Sequence, residues 1–234
     1  MPSILVLHGF TSHPVLTMGP LPQVLREAGY TVSNPALPGH GTKPEDLKGV
    51  KWQDWYRVAL EAYRALPEPR GIASLSVGAL IGAKIAAEEG TTALVAMAPA
   101  FGFSDPLASL APYVHWLVPR GKGTQSVRDP ERKRNSPNYP YFPTTAFVEV
   151  LKLRNQIPEL LPKVQAPALV VQAAHDSTIP EKAVRQYYGL LGSKSKQYQV
   201  FTESEHDLLL DAQADEAAAF VRDWLIGHLP PDKQ

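Results

Sequence analysis

No cysteine occurs in the 234 residues, which removes thiol nucleophiles, disulfide frameworks and thiolate metal sites in one step. Net charge is also missing: 23 Lys and Arg stand against 23 Asp and Glu, so no long-range field draws the chain to nucleic acid or an anionic membrane. No run approaches the roughly 18 to 20 apolar residues of a membrane helix. The opening Met1-Pro2-Ser3-Ile4-Leu5-Val6-Leu7 has neither the basic start nor the apolar length of a secretory signal. A cytoplasmic protein without stable membrane insertion is the expectation. Metal ligation has little to draw on, because there is no H-E-x-x-H and the 7 histidines show no close ligand spacing. Methionine is scarce (3 residues) while proline is abundant (23), a composition that leans towards heat resistance through stiff loops.

What is present suffices for a full core. Apolar residues make up 44% of the chain, and its length suits one domain carrying an insertion better than two domains. Short apolar runs alternate with helical patterns, as in repeated β-α units on a parallel sheet. Strands are expected over 4–7, 30–36, 71–75, 93–98, 168–173 and 196–201. Helices are expected near 21–28, 52–66, 77–89, 181–191 and 214–226. Trp55, Val58, Ala59, Ala62 and Leu66 recur at helical spacing, and Phe220, Val221, Trp224 and Leu225 form the stripe of the last helix, with Gly227 expected to end it. Residues 101–162, between the fourth and fifth strands, break this rhythm and are rich in proline and aromatics. A crossover of that length needs its own structure. Residues 1–100 and 163–234 therefore read as the core and 101–162 as an inserted lid. Its basic run, Arg128, Arg132, Lys133 and Arg134 interleaved with Asp129 and Glu131, reads as a solvated face.

In open α/β sheets the working residues follow the carboxyl ends of strands. Ser74-Leu75-Ser76-Val77-Gly78 follows the third strand and precedes a helix. The serines could simply cap that helix. A nucleophile on a sharp strand-to-helix turn needs small residues two before and two after it. Ser76 has them in Ser74 and Gly78, whereas Ser74 as nucleophile would need glycine at position 76. His8-Gly9-Phe10-Thr11 follows the first strand, where a loop beside the nucleophile could turn a backbone N–H towards an oxyanion. His175-Asp176 follows the fifth strand and Glu205-His206 the sixth. A serine hydroxyl is a poor nucleophile until a base accepts its proton, and a carboxylate must hold that base in one tautomer. His40, in Pro38-Gly39-His40-Gly41, also follows a strand and stays open as an alternative base; Asp105 stays open as an alternative acid.

With these residues in place the sequence resembles the α/β-hydrolase superfamily, and within it the bacterial carboxylesterases and monoacylglycerol lipases with a small lid. The resemblance rests on residues 5–11, on Pro38-Gly39-His40-Gly41-Thr42, on Ser74 to Gly78, on residues 170–176 and on Ser204-Glu205-His206, in the family's order Ser, Asp, His. It implies an α/β-hydrolase fold, a mostly parallel six-stranded sheet flanked by helices. It implies Ser76 as nucleophile, Asp176 as acid and His206 as base, the backbone N–H groups of Phe10 and Val77 as oxyanion hole, and neither cofactor nor metal. The implied activity is hydrolysis of carboxylic esters, short- to medium-chain acyl esters or monoacylglycerols, through an acyl-enzyme. Thioester, amide or carbon–carbon hydrolysis and acyl transfer use the same machinery, and a binding protein that lost catalysis is the non-enzyme alternative. Haloalkane dehalogenases and epoxide hydrolases differ by placing aspartate at the elbow. The aromatic residues of 101–162 point to an apolar acyl or alcohol group on a small-molecule ester. Two departures stand out: larger members begin with two further strands, and Ser74 occupies the place of the usual first glycine.

Overall fold

Strands that are apolar along their whole length can only lie between two layers of helix, and the centre of this molecule is built that way. The computed structural model describes residues 1–123 and 125–231; positions 124 and 232–234, within the expected lid and core respectively, lie outside the described residues. β1 (Ser3–Leu7), β2 (Thr31–Ser33), β3 (Arg70–Leu75) and β4 (Ala93–Met97) join two later strands in a six-stranded sheet. The order is β2-β1-β3-β4, followed by the strands Ala168–Ala173 and Lys196–Phe201, with every pairing parallel. β1 and β4 are buried at every residue. Because all six strands run the same way, their carboxyl ends share one edge.

Helix α1 (Leu21–Glu27) lies on one face of the sheet, in the same apolar cluster as the C-terminal helix Ala214–His228. Helices α2 (Trp52–Arg64) and α3 (Val77–Glu88) and the later helix Glu181–Leu190 cover the other face. α3 is apolar nearly all round because it is enclosed: β3 and β4 lie beneath it, and helices Thr144–Arg154 and Ile157–Leu160 lie above.

Two local outcomes differ from expectation. β2 stops at Ser33 rather than running to 36, because Asn34 turns its side chain to donate to Pro14 O (3.0 Å) and Pro35 has no N–H for the ladder. Gly227 does not end the last helix, which continues to His228. The His228 ring stacks on Trp224 at 4.1 Å and its Nδ1 bonds Trp224 O, so the final turn is held despite the glycine.

Residues 101–162 leave the sheet after β4. In order they carry α4 (Ala111–Val114), β5 (Arg120–Lys122), α5 (Pro130–Arg134), β6 (Tyr141–Pro143), α6 (Thr144–Arg154) and α7 (Ile157–Leu160). β5 and β6 pair antiparallel as a separate two-stranded sheet. The chain then re-enters the main sheet as β7 (Ala168–Ala173), crosses through α8 (Glu181–Leu190) to β8 (Lys196–Phe201), and ends in α9 (Ala214–His228). Among the described residues no helix is long and apolar enough to cross a membrane.

Candidate active site

Between β3 and α3 the backbone reverses within a single residue. Ser76 holds φ 56° and ψ −116°, a region that residues other than glycine rarely enter and that costs about 1–3 kcal/mol. Its N–H donates to Met97 O (2.9 Å), and its carbonyl accepts from Ala79 and Ala100, so both neighbouring segments hold the turn. Gly78 is where α3 crosses the end of β1: a Cβ there would stand 2.5 Å from His8 O. Ser74 is fully buried and donates its hydroxyl to Val95 O (2.9 Å), against the space left by Gly82. That space accommodates a hydroxymethyl group where the family pattern has glycine. Ser74 is therefore turned into the β3–β4–α3 packing, whereas Ser76 opens on a cavity.

The loops after β7 and β8 meet Ser76 at the same sheet edge. His206 Nε2 lies 2.9 Å from Ser76 Oγ, and His206 Nδ1 lies 2.8 Å from Asp176 Oδ2. An ionised carboxylate only accepts, so Nδ1 carries the hydrogen and Nε2 is left to accept from the serine. The other Asp176 oxygen accepts from the N–H groups of Thr178 (2.9 Å) and Ile179 (2.7 Å), which fixes the carboxylate while its side chain is completely buried. Burial alone would pull the His206 imidazolium down. The charge and hydrogen bond of Asp176, with Asp207 and Glu205 nearby, outweigh it and push His206 above the ordinary histidine value. Neither alternative bonds the Ser76–His206 pair, although Asp105 lines the same cavity. Asp105 is exposed, with Oδ1 accepting from Leu107 N at 2.8 Å. His40 is buried beside His8, with Nδ1 on the carbonyls of Leu37 and Pro38.

The loop after β1 runs against the serine: a Cβ on Gly9 would be 3.1 Å from Ser76 Cβ. Phe10 and Val77, the two residues expected to supply oxyanion donors, both line the cavity beside Ser76. Val77 is the first residue of α3, whose leading N–H groups have no partner within the helix. His8 stiffens the loop, its Nδ1 donating to Gly9 O (2.9 Å) and its Nε2 accepting from Leu37 N (3.1 Å). Burial pushes His8 down to about 3, with His40 adding to the effect, and pushes His40 down to about 4.

The cavity over Ser76 and His206 has a volume of about 600 Å³. Its far wall is apolar and comes from residues 101–162, including Phe103, Leu107, Leu110, Val114, Phe142 and Phe147. Beside His206 the wall turns polar. Asp207 is 4% exposed, and its Oδ2 accepts from Asn138 Nδ2 at 2.8 Å. Burial raises the Asp207 carboxyl to about 6, against the opposing pull of His206. Sequence reasoning missed both residues. The one available signal was a second carboxylate directly following the histidine. Asn138, 69 residues away, could be paired with it only by the fold.

Compared with known proteins, residues 2–213 match the Hydrolase_4 family model, described as serine aminopeptidase, S33. A carboxylesterase of Bacillus subtilis (strain 168) is 26% identical over 222 residues, covering 91% of this chain and 87% of that one. A thermostable monoacylglycerol lipase of Bacillus sp. (strain H-257) is 26% identical over 214 residues, covering 89% and 84%. Among solved structures, one from work on the metagenome-derived lipolytic enzymes LipS and LipT superposes with a TM-score of 0.89 at 24% identity, over 97% of this chain and 94% of that one. The expected α/β-hydrolase fold is thereby shown.

Proposed function

The chain belongs to the Hydrolase_4 family, described as serine aminopeptidase, S33, and from that premise we propose that it is a carboxylic ester hydrolase working through an acyl-enzyme. The observation that carries this is the hydrogen-bonded line Asp176–His206–Ser76 at the wall of a largely apolar cavity. Ser76 attacks the ester carbonyl as His206 takes its proton, and Asp176 steadies the imidazolium. The carbonyl oxygen, now anionic, is received by the N–H groups of Phe10 and Val77. His206 returns the proton to the departing alcohol, and water then repeats the cycle on the acyl-enzyme. Residues 101–162 serve as a lid on a core formed by 1–100 and 163–234, and their apolar side chains receive the hydrocarbon part of the substrate.

The family's description makes amide hydrolysis by the same residues the second reading. The carboxylesterase and monoacylglycerol lipase relatives favour esters, as does the apolar wall facing Ser76. A fluorophosphonate probe should label Ser76, as read by peptide mapping, and p-nitrophenyl acyl esters should be cleaved in preference to aminoacyl anilides. Label on Ser74, or undiminished label in Ser76→Ala, would overturn the nucleophile. Faster cleavage of anilides would overturn the ester reading.

A further inference from the structure

The base in such a mechanism must hand its proton to the leaving oxygen, so the alcohol part of a substrate lies on the His206 side of Ser76. Among the described residues, that side of the cavity carries one buried carboxylate that the mechanism leaves unused. Asp207 opens on the same cavity as Ser76 and His206. It is also built into place. Its N–H donates to Ser126 O (3.0 Å), Oδ2 accepts from Asn138 Nδ2 (2.8 Å), and Asn138 Oδ1 in turn accepts from Thr17 Oγ1 (2.9 Å). Thr17 Oγ1 is fixed by accepting from His13 N (3.0 Å). The backbone of Ser126 also hydrogen-bonds the carboxyl. Among the described residues no lysine or arginine forms an ion pair with it, and a carboxylate's roughly four acceptor positions leave capacity towards the cavity. A held carboxylate with a spare acceptor, on the wall that meets the alcohol group, can recognise a hydrogen-bond donor there.

We propose that Asp207 is a specificity-determining residue that selects esters whose alcohol portion bears a hydrogen-bond donor, a protonated amine above all. The proposal rests on the ester-hydrolase reading and adds a preference to it. A plain alkyl alcohol desolvates the cavity side of the Asp207 carboxylate without offering it a donor, whereas an ammonium or hydroxyl group supplies one. Burial holds the carboxyl near 6, so it is ionised in mildly alkaline assays.

The test uses matched pairs of hexanoyl esters measured in mildly alkaline buffer: dimethylaminoethyl against isoamyl, which differ by N–H for C–H, and hydroxyethyl against n-propyl. Active sites are counted by fluorophosphonate titration. The native enzyme should favour the donor member of each pair. Asp207→Asn, which keeps an acceptor for Asn138 and removes the charge, should lower the ammonium pair's kcat/KM ratio about 10- to 100-fold, the scale of a hydrogen bond to a charged group. Asn138→Ala, which frees the carboxylate from its holder, should move both ratios in the same direction. Because each ratio compares two substrates on one enzyme, it is insensitive to the fraction folded. Native ratios near one, or both members losing the same factor in the variants, would overturn the selection role while leaving the hydrolase reading intact. An enzyme that neither titrates nor cleaves any of the four esters would instead remove the reading on which the proposal rests.

Discussion

Asp176 stands close enough to His206 to set the state of the imidazole. Asp176 holds two backbone donors on one oxygen and the imidazole on the second. An asparagine there would preserve the shape but present an N–H to Nδ1, forcing the tautomer whose Nε2 donates rather than accepts. Asp176→Asn is expected to lower kcat on the order of 10⁴-fold, while Asp105→Asn, on an exposed turn, changes it little. The pH dependence follows from the same pair. Only neutral His206 can take the serine proton, and Asp176 favours its charged form. Activity is therefore present above the raised pKa and lost as pH falls through it. The acid limb of kcat/KM should lie above the ordinary histidine value of 6.5. A limb at or below that value, with chemistry limiting, would contradict the coupling.

At the scale of elements, the loop after β1 is held by a buried histidine pair whose charge state is set by the fold. His8 and His40 stand 4.9 Å apart and are fully buried. In the unfolded chain both protonate near 6.5, whereas in the fold they resist protonation down to about 3 and about 4. Their contribution to stability is therefore complete above 6.5 and is lost as pH falls from there towards about 3, on the order of several kcal/mol between them. Urea midpoints measured from neutral to mildly acidic pH should fall across that window. In His40→Gln the fall should be shallower; an identical slope would sink this account. These elements also show what the sequence could and could not reveal. The strands bearing Ser76, Asp176 and His206 were legible because continuous apolar runs ending in polar or glycine-containing turns have few other readings. The length of β2 was not, since it depends on Asn34 reaching Pro14. Nor was the extension of α9, which depends on one stacked pair beyond a glycine.

At the scale of the molecule, the segment 101–162 faces both the cavity over Ser76 and the loops that carry Phe10 and His206. Phe142 illustrates the first role: its ring lies 5.2 Å from Phe10 and 5.7 Å from Phe147 on the cavity wall. Phe142→Ala should change the relative kcat/KM across acyl chain lengths by about 10- to 200-fold, as measured on a graded ester series. A uniform loss over the series would assign the ring to stability instead. The second role was hidden in the sequence because its partners are far apart along the chain. The basic stretch is exposed, as expected, but it is also a tether. Asp211 accepts from the N–H groups of Arg128 (3.0 Å) and Asp129 (3.1 Å) and also from Glu205 N (2.8 Å), while Arg132 donates to Asp211 O (2.8 Å). Tyr139 N donates to Thr11 O (2.9 Å) in the loop after β1. Residues 126–139 thus clamp the loop that carries His206 and the loop after β1, whereas residues 105–123 make no hydrogen bond to residues 204–211 among the described residues. For anyone recombining such enzymes, the natural seam is then not the whole insertion. A chimaera taking all of 101–162 from a relative would import foreign anchors for the His206 loop and is expected to lose turnover. One exchanging 105–123 alone would change the wall and keep the clockwork.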